Sequence, residues 1–265
     1  MGLAGLCIVG TPIGNFGDFS PRGADALRRA DIVVCEDSRV AGKLCAHFGI
    51  KAKFEVFAEY NEAEKLPLIL DMIRSGASIA LTTDSGMPGV SDPGFRLARA
   101  CRDEGLPVSV VPGPTAAVSA LALSGFPSDR FSFLGFFRGE SALREDNHIR
   151  HTIIYYESAN RLMETLTMCA KVMPERKIAI VREITKVHEE TIIGYPADLL
   201  KMDAMRGEIT LVIAPAPDKR ASDEEIAAIV GEATGLKTKD AAAILAMKTG
   251  MSKTSAYEKI LAAKK

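Results

Sequence analysis

The chain has 265 residues, 47% of them hydrophobic and 25% charged, with a net charge of −1 at pH 7. This is ordinary globular composition with length for two compact units; it excludes a disordered chain and a surface basic enough throughout to hold nucleic acid by charge alone. No window reaches the roughly 18 to 20 apolar residues of a membrane span and no basic segment leads into an apolar signal core, so a cytoplasmic protein without a membrane partner is expected.

Short apolar strands alternate with amphipathic helices over the first 125 residues: strands at 6–9, 32–35, 54–57, 78–82 and 108–111, helices at 22–29, 39–48, 62–75, 94–104 and 115–124. That alternation predicts an α/β domain, 1–125, with a mainly parallel sheet covered on both faces. Past the break at Gly125 and Pro127 come strands at 131–136, 152–156, 177–181, 190–193 and 208–213, with helices at 141–149, 160–172 and 196–203 between them. They predict a second α/β domain, 126–217, with a mixed sheet. Pro215, Pro217 and Lys219 interrupt the pattern, and helices at 222–233, 238–248 and 253–263 form an appended tail, 218–265.

Charge is concentrated in that tail. From Leu236 onward Lys237, Lys239, Lys248, Lys253, Lys259, Lys264 and Lys265 stand against only Asp240 and Glu258, a net +5 that leaves −6 on the rest. Two of its helices, joined by Thr249-Gly-Met, are similar to a helix-turn-helix. The tail either contacts RNA or packs as a lid with its lysines in water. Five cysteines lie far apart and four histidines are scattered, so buried thiols and no metal site are expected.

Three strands of the first domain end in loops rich in glycine and proline: Gly-Thr-Pro-Ile-Gly-Asn (10–15), Thr-Asp-Ser-Gly-Met-Pro-Gly-Val-Ser-Asp-Pro-Gly (83–94) and Pro-Gly-Pro-Thr-Ala-Ala (112–117). Loops at the carboxyl edge of a parallel sheet are where such folds bind ligands, and these residues let backbone rather than side chains approach the ligand. The dinucleotide and P-loop fingerprints are absent. An uncharged, carbonyl-rich cleft suits a zwitterion with a cationic centre, such as S-adenosylmethionine.

These loops, with Cys-Glu-Asp-Ser-Arg (35–39), Arg-Glu-Ile-Thr-Lys-Val-His-Glu-Glu (182–190) and Gly-Glu (207–208), run in order over nearly the whole chain. Together they resemble the ribosomal RNA small subunit methyltransferase I family. The resemblance implies the tetrapyrrole-methylase fold, S-adenosylmethionine in a cleft between two α/β domains, a homodimer, and methylation of the 2′-hydroxyl of a cytidine in 16S rRNA, free or in the small subunit. By motif match it places Pro12, Ser85, Gly86, Met87, Val90, Thr115 and Ala116 at the cofactor, with Glu157 and Ile184 from the second domain. Met87 replaces an aspartate of relatives and Asp84 stands three residues earlier, leaving open which carboxylate faces the ammonium.

The transfer is an in-line displacement by a ribose oxygen, so alignment and removal of one proton are what the protein must supply. In the crowded 182–190 run Lys186 is the candidate to steady the alkoxide, and Glu183 or His188 to accept the proton; the alternative is a solvated turn of surface ion pairs. Arg39, Arg161, Arg182, Lys237, Lys239 and Lys253 are the RNA-binding candidates, although acids and serine before Arg39 also suit a helix start. Glu-Ser-Ala-Asn-Arg (157–161) and Gly-Phe-Phe-Arg-Gly-Glu (135–140) depart from the family. Competing functions are a same-fold methyltransferase acting on a tetrapyrrole or other small molecule, and an RNA-binding module without chemistry.

Overall fold

In the computed structural model, residues 4–217, 223–232 and 236–263 are described. The predicted helix ends at 222 and 233, and Lys219, Lys264 and Lys265, lie outside them. The chain divides into two compact units, Met1–Pro215 and Ala216–Lys265.

The first unit opens with β1 (Gly5–Val9), α1 (Pro21–Arg29), β2 (Ile32–Cys35), α2 (Ser38–His47) and β3 (Phe54–Val56). It continues with α3 (Glu62–Arg74), β4 (Ser78–Leu81), α4 (Phe95–Asp103), β5 (Val108–Val111) and α5 (Ala116–Ser124). The five strands are parallel in the order β3-β2-β4-β1-β5. Three of the five helix starts are fixed by side chains: Ser20, Asp37 and Thr115 accept N–H bonds from Gly23, Arg39 and Val118, which satisfies donors the helix cannot. Leu6, Ile69, Ile79 and Leu97 fill one face of the sheet, and Val9, Leu27, Val33 and Leu44 the other.

The second sheet holds β6 (Phe131–Phe136), β7 (Thr152–Ser158), β8 (Ile178–Arg182), β9 (Glu190–Gly194) and β10 (Glu208–Ile213), in the order β6-β7-β10-β8-β9. Only β6 and β7 pair in parallel, so the sheet is mixed as expected. Between them lie α6 (Glu140–Asp146), α7 (Leu162–Val172) and α8 (Pro196–Leu199). The last stops four residues short of the predicted 203, because the chain turns there to bring Met202 and Met205 onto the same core as Leu199. Helix α5 follows the first sheet in sequence, yet Ala117, Ala120 and Leu121 pack against Ile154, Ala179, Val181 and Val212 of the second.

The second unit is α9 (Asp223–Glu232), α10 (Thr238–Thr249) and α11 (Lys253–Ala263) around Ile226, Leu245, Met251 and Ile260. Gly250, at φ 72°, ends α10, and Ser252 accepts the Ser255 N–H at the start of α11. Lys237, Lys239, Lys248 and Lys253 are exposed. No helix among the described residues is long and apolar enough to cross a membrane.

Candidate active site

The three loops meet at one point. A Cβ on Gly10 would lie 2.5 Å from Gly113 N and 2.5 Å from Met87 Sδ, and one on Gly113 would lie 2.7 Å from Gly10 C. Only glycine permits that approach, and the Gly113 N–H donates to Met87 Sδ at 3.3 Å. Thr11 ties the first loop to the second: its N–H donates to Gly86 O at 2.9 Å and its hydroxyl to Thr83 O at 3.1 Å. Gly86 itself sits at φ 91°.

Above this junction, between the two sheets, is a cleft of about 430 Å³, in the range of small-molecule sites. Ser85, Gly86, Met87, Val90, Thr115 and Ala116 line it from the first sheet; Phe136, Tyr156, Ser158 and Glu208 line it from the second. Asp92 also reaches the cleft, and burial, aided by the charges of Glu36 and Asp84 against a hydrogen bond from Thr83, pushes its carboxyl up to about 6. Aromatic and aliphatic walls, hydroxyls, and carboxylates without a basic residue fit adenosine joined to a cationic sulfonium and ammonium. The lining therefore fits S-adenosylmethionine, and Ser85–Met87, Thr115 and Ala116 could hold it, with the half-buried Asp92 as the acid beside them.

At the rim, Lys186 Nζ lies 3.0 Å from Glu183 Oε1 and 3.0 Å from Glu208 Oε2. Burial pulls its pKa down, but the hydrogen bonds to the two carboxylates outweigh that and the net shift is upward. Lys186 is a fixed cation. Glu183 is held below the usual carboxylate range, first by the Glu208 N–H and then by Lys186. Among the described residues only Ser91, Glu183 and Thr185 have positive φ without being glycine, at 60°, 51° and 67°. All three lie in the loops that bound this space, where strain of about 1–3 kcal/mol per residue persists only if the surroundings enforce it. The Thr185 hydroxyl is buried and has no hydrogen-bond partner among the described residues. Gly14 packs on Lys186 and Thr185, where a Cβ would meet Lys186 Cγ at 2.6 Å.

Most of the other expected residues stand elsewhere. Pro12 lines a smaller hollow with Phe16, Val40 and Lys43, and Asp84 borders that hollow rather than the main cleft. Ile184 is core, packed with Ala117 and Val181. Glu157 borders the cleft, but its carboxylate turns the other way to accept from Thr165 Oγ1 at 2.5 Å and Arg161 Nε at 3.1 Å. Arg182 pairs with Glu190 and the Arg206 carbonyl; His188 is exposed and outside the lining of the cleft. Sequence reasoning did not single out Asp92, Phe136, Tyr156 or Ser158, and gave Glu208 no role. The Gly-Glu pair was the only signal for Glu208: Gly207 takes φ 101° and lies against Glu183, so its successor reaches Lys186.

Residues 5–200 match the family of tetrapyrrole (corrin/porphyrin) methylases. A ribosomal RNA small subunit methyltransferase I of Vibrio cholerae is 38% identical over 96% of this chain and 93% of its own length. One of Thermotoga maritima is 37% identical over 79% of this chain and 97% of its own length. The uroporphyrin-III-C-methyltransferase of Thermus thermophilus superposes with a TM-score of 0.56 at 21% identity, covering 79% of this chain and 93% of that one, which shows the fold. On these matches the chain is a methyltransferase of the tetrapyrrole methylase family, which uses S-adenosylmethionine, and belongs within it to the ribosomal RNA small subunit methyltransferase I family.

Proposed function

We propose that this protein methylates the ribose 2′-hydroxyl of a cytidine in 16S rRNA, acting as a cytoplasmic homodimer. The observation that carries the reading is the cationic Lys186, fixed between two carboxylates at the rim of a cleft that fits the cofactor. S-adenosylmethionine supplies a methyl group on a good leaving group, so the protein has only to align the ribose and steady charge on its oxygen. Lys186 supplies that charge; Glu183 holds Lys186 in place. The three-part division at 125/126 and 217/218 follows these roles: cofactor loops, substrate wall, tail. The dimer reading is supported by exposed apolar side chains, Val110 on the edge strand β5 and Val118 and Leu123 on α5. Mass mapping of 16S rRNA from a strain lacking the gene tests the reading: one 2′-O-methylcytidine disappears and returns on complementation. An unchanged methylation map would overturn it.

We assign the tail to RNA attraction. The Thermotoga relative aligns along nearly all of its own length with about four fifths of this chain, which supports a core reaction that does not need every part of this protein. An acidic body repels rRNA at long range, so exposed Lys237, Lys239, Lys248 and Lys253 offset that repulsion. Deleting residues 221–265 should weaken RNA binding and lower the slope of log K against log salt by roughly three, at ~0.7 for each of these four lysines. Affinity for S-adenosylmethionine should stay unchanged. Filter binding at several salt concentrations measures both, and an unaltered slope returns the tail to a packing role.

Among the described residues no three His, Cys, Asp or Glu side chains are grouped as metal ligands. Methylation should therefore persist in chelator on RNA folded with monovalent salt. Recovery that depends on one particular divalent ion, with the RNA fold unchanged, would count against this.

A further inference from the structure

The carboxyl edge of the first sheet carries a second hollow beside the cofactor cleft. It has a volume of about 450 Å³ and lies between the turn after β2 and the turn after β3, with Asp84 in its wall. The next residue, Ser85, lines the cleft, and Asp92 inside the cleft feels the charge of Glu36 in the hollow. The two spaces adjoin at Thr83, whose side chain hydrogen-bonds both to Glu36 of the hollow and to Asp92 of the cleft.

Within a lining that also carries the carboxylates of Asp37, Glu59 and Asp84, three groups stand out. Tyr60 stands on the lip with 84% of its surface exposed, although Phe57, three residues earlier, is fully buried. A ring this open offers a face on which a base can stack. Arg39 is clasped by the Asp37 carboxylate through Nε and Nη2, which fixes it at the rim while its side chain stays 86% exposed, placed for a phosphate. Glu36 lines the interior, where its Oε2 accepts from Thr83 Oγ1 at 3.2 Å. Main-chain positions thus hold an aromatic face, a cation and an acceptor around one space.

We propose that this hollow receives the base of the target nucleotide as an amino-bearing pyrimidine, stacked on Tyr60, its amino edge hydrogen-bonded to Glu36 and its phosphate at Arg39. The inference rests on the ribose-methylation reading above. A nucleotide swung out of its stack can bring its 2′-hydroxyl into line with a methyl held in the cleft, and a ring-on-ring contact with Tyr60 offsets the cost of unstacking. A carboxylate accepts from the exocyclic amine of cytosine but repels the carbonyl oxygen that uracil carries at the same place. Selection between the two pyrimidines then resides in Glu36 rather than in the cofactor cleft.

The test uses small subunits reconstituted with cytidine or uridine at the position found by mass mapping. The full-length protein should prefer cytidine by about thirtyfold in kcat/KM. Glu36→Gln should bring that ratio within about threefold, because an amide can turn either its donor or its acceptor to the base. Tyr60→Ala, at an exposed position that the core does not need, should raise KM for the cytidine subunit about tenfold with unchanged affinity for S-adenosylmethionine. An unchanged ratio in folded Glu36→Gln overturns the proposal; if that variant does not fold, an unchanged KM in Tyr60→Ala overturns it. Should the parent methylate neither subunit, the ribose-methylation reading fails as well. A parent active on cytidine with both variants indistinguishable from it rejects the hollow alone.

Discussion

Ala116→Leu lowers the affinity for S-adenosylmethionine by about a hundredfold or more, equivalent to roughly 2.7 kcal/mol. Ala116 is the first residue of α5 and faces the cleft opposite Phe136 and Tyr156. Three added carbons occupy space between two walls that cannot retreat, because α5 is packed against the second sheet on one side and the glycine junction fixes the loops on the other. Gly86→Val adds a second cost. Its Cβ has ordinary contacts, 3.5 Å from Ile13 Cγ2 and 3.6 Å from Pro114 O, but a β-branched residue at φ 91° is strained, so the loop shifts away from the cofactor. Titration calorimetry beside a thermal melt separates loss of binding from loss of fold. Cofactor binding at parental strength in a folded Ala116→Leu protein would place the cofactor elsewhere.

Lys186→Ala should leave both cofactor and RNA bound and reduce the single-turnover methylation rate by about tenfold to a thousandfold, the range for one electrostatic or proton-transfer contributor. Removal of the ammonium also leaves Glu183 and Glu208 without the cation that bridges them, so the rim becomes more negative. Lys186→Arg restores charge but not the compact geometry, and should recover only part of the rate. An undiminished rate for the alanine variant removes Lys186 from the reaction.

The first sheet was legible because its elements declare themselves: mainly apolar runs of three to five residues, with helices opened by Ser20, Asp37 and Thr115 among them. The loops 10–15, 83–94 and 112–117 were legible for the same reason, since close approach of three backbones leaves glycine and proline as its trace. What the sequence could not display is pairing. Phe136 and Tyr156 look like core residues of two strands, and only the β6–β7 register turns them into a wall of the cleft. Glu157 shows the reverse. Its motif drew it to the cofactor, while strand alternation sends its carboxylate to the face of Ile153 and Tyr155, where Thr165 awaits it. Asp92 was hidden inside a Gly/Pro-rich loop, with no local pattern to mark it as the acid that burial would perturb.

Helix α5 sets an order on how this molecule is made. Its Ala117, Ala120 and Leu121 are covered by Val212 of β10, about ninety residues further along the chain. As the polypeptide emerges from the ribosome, the first sheet can close while that apolar face still waits for its partner, and long-range closure of this kind is slow. Thr115 and Ala116 open the same helix, so the wall they form acquires its final setting only when β10 slots between β7 and β8. The protein becomes competent for its cofactor only once β10 has been made and paired.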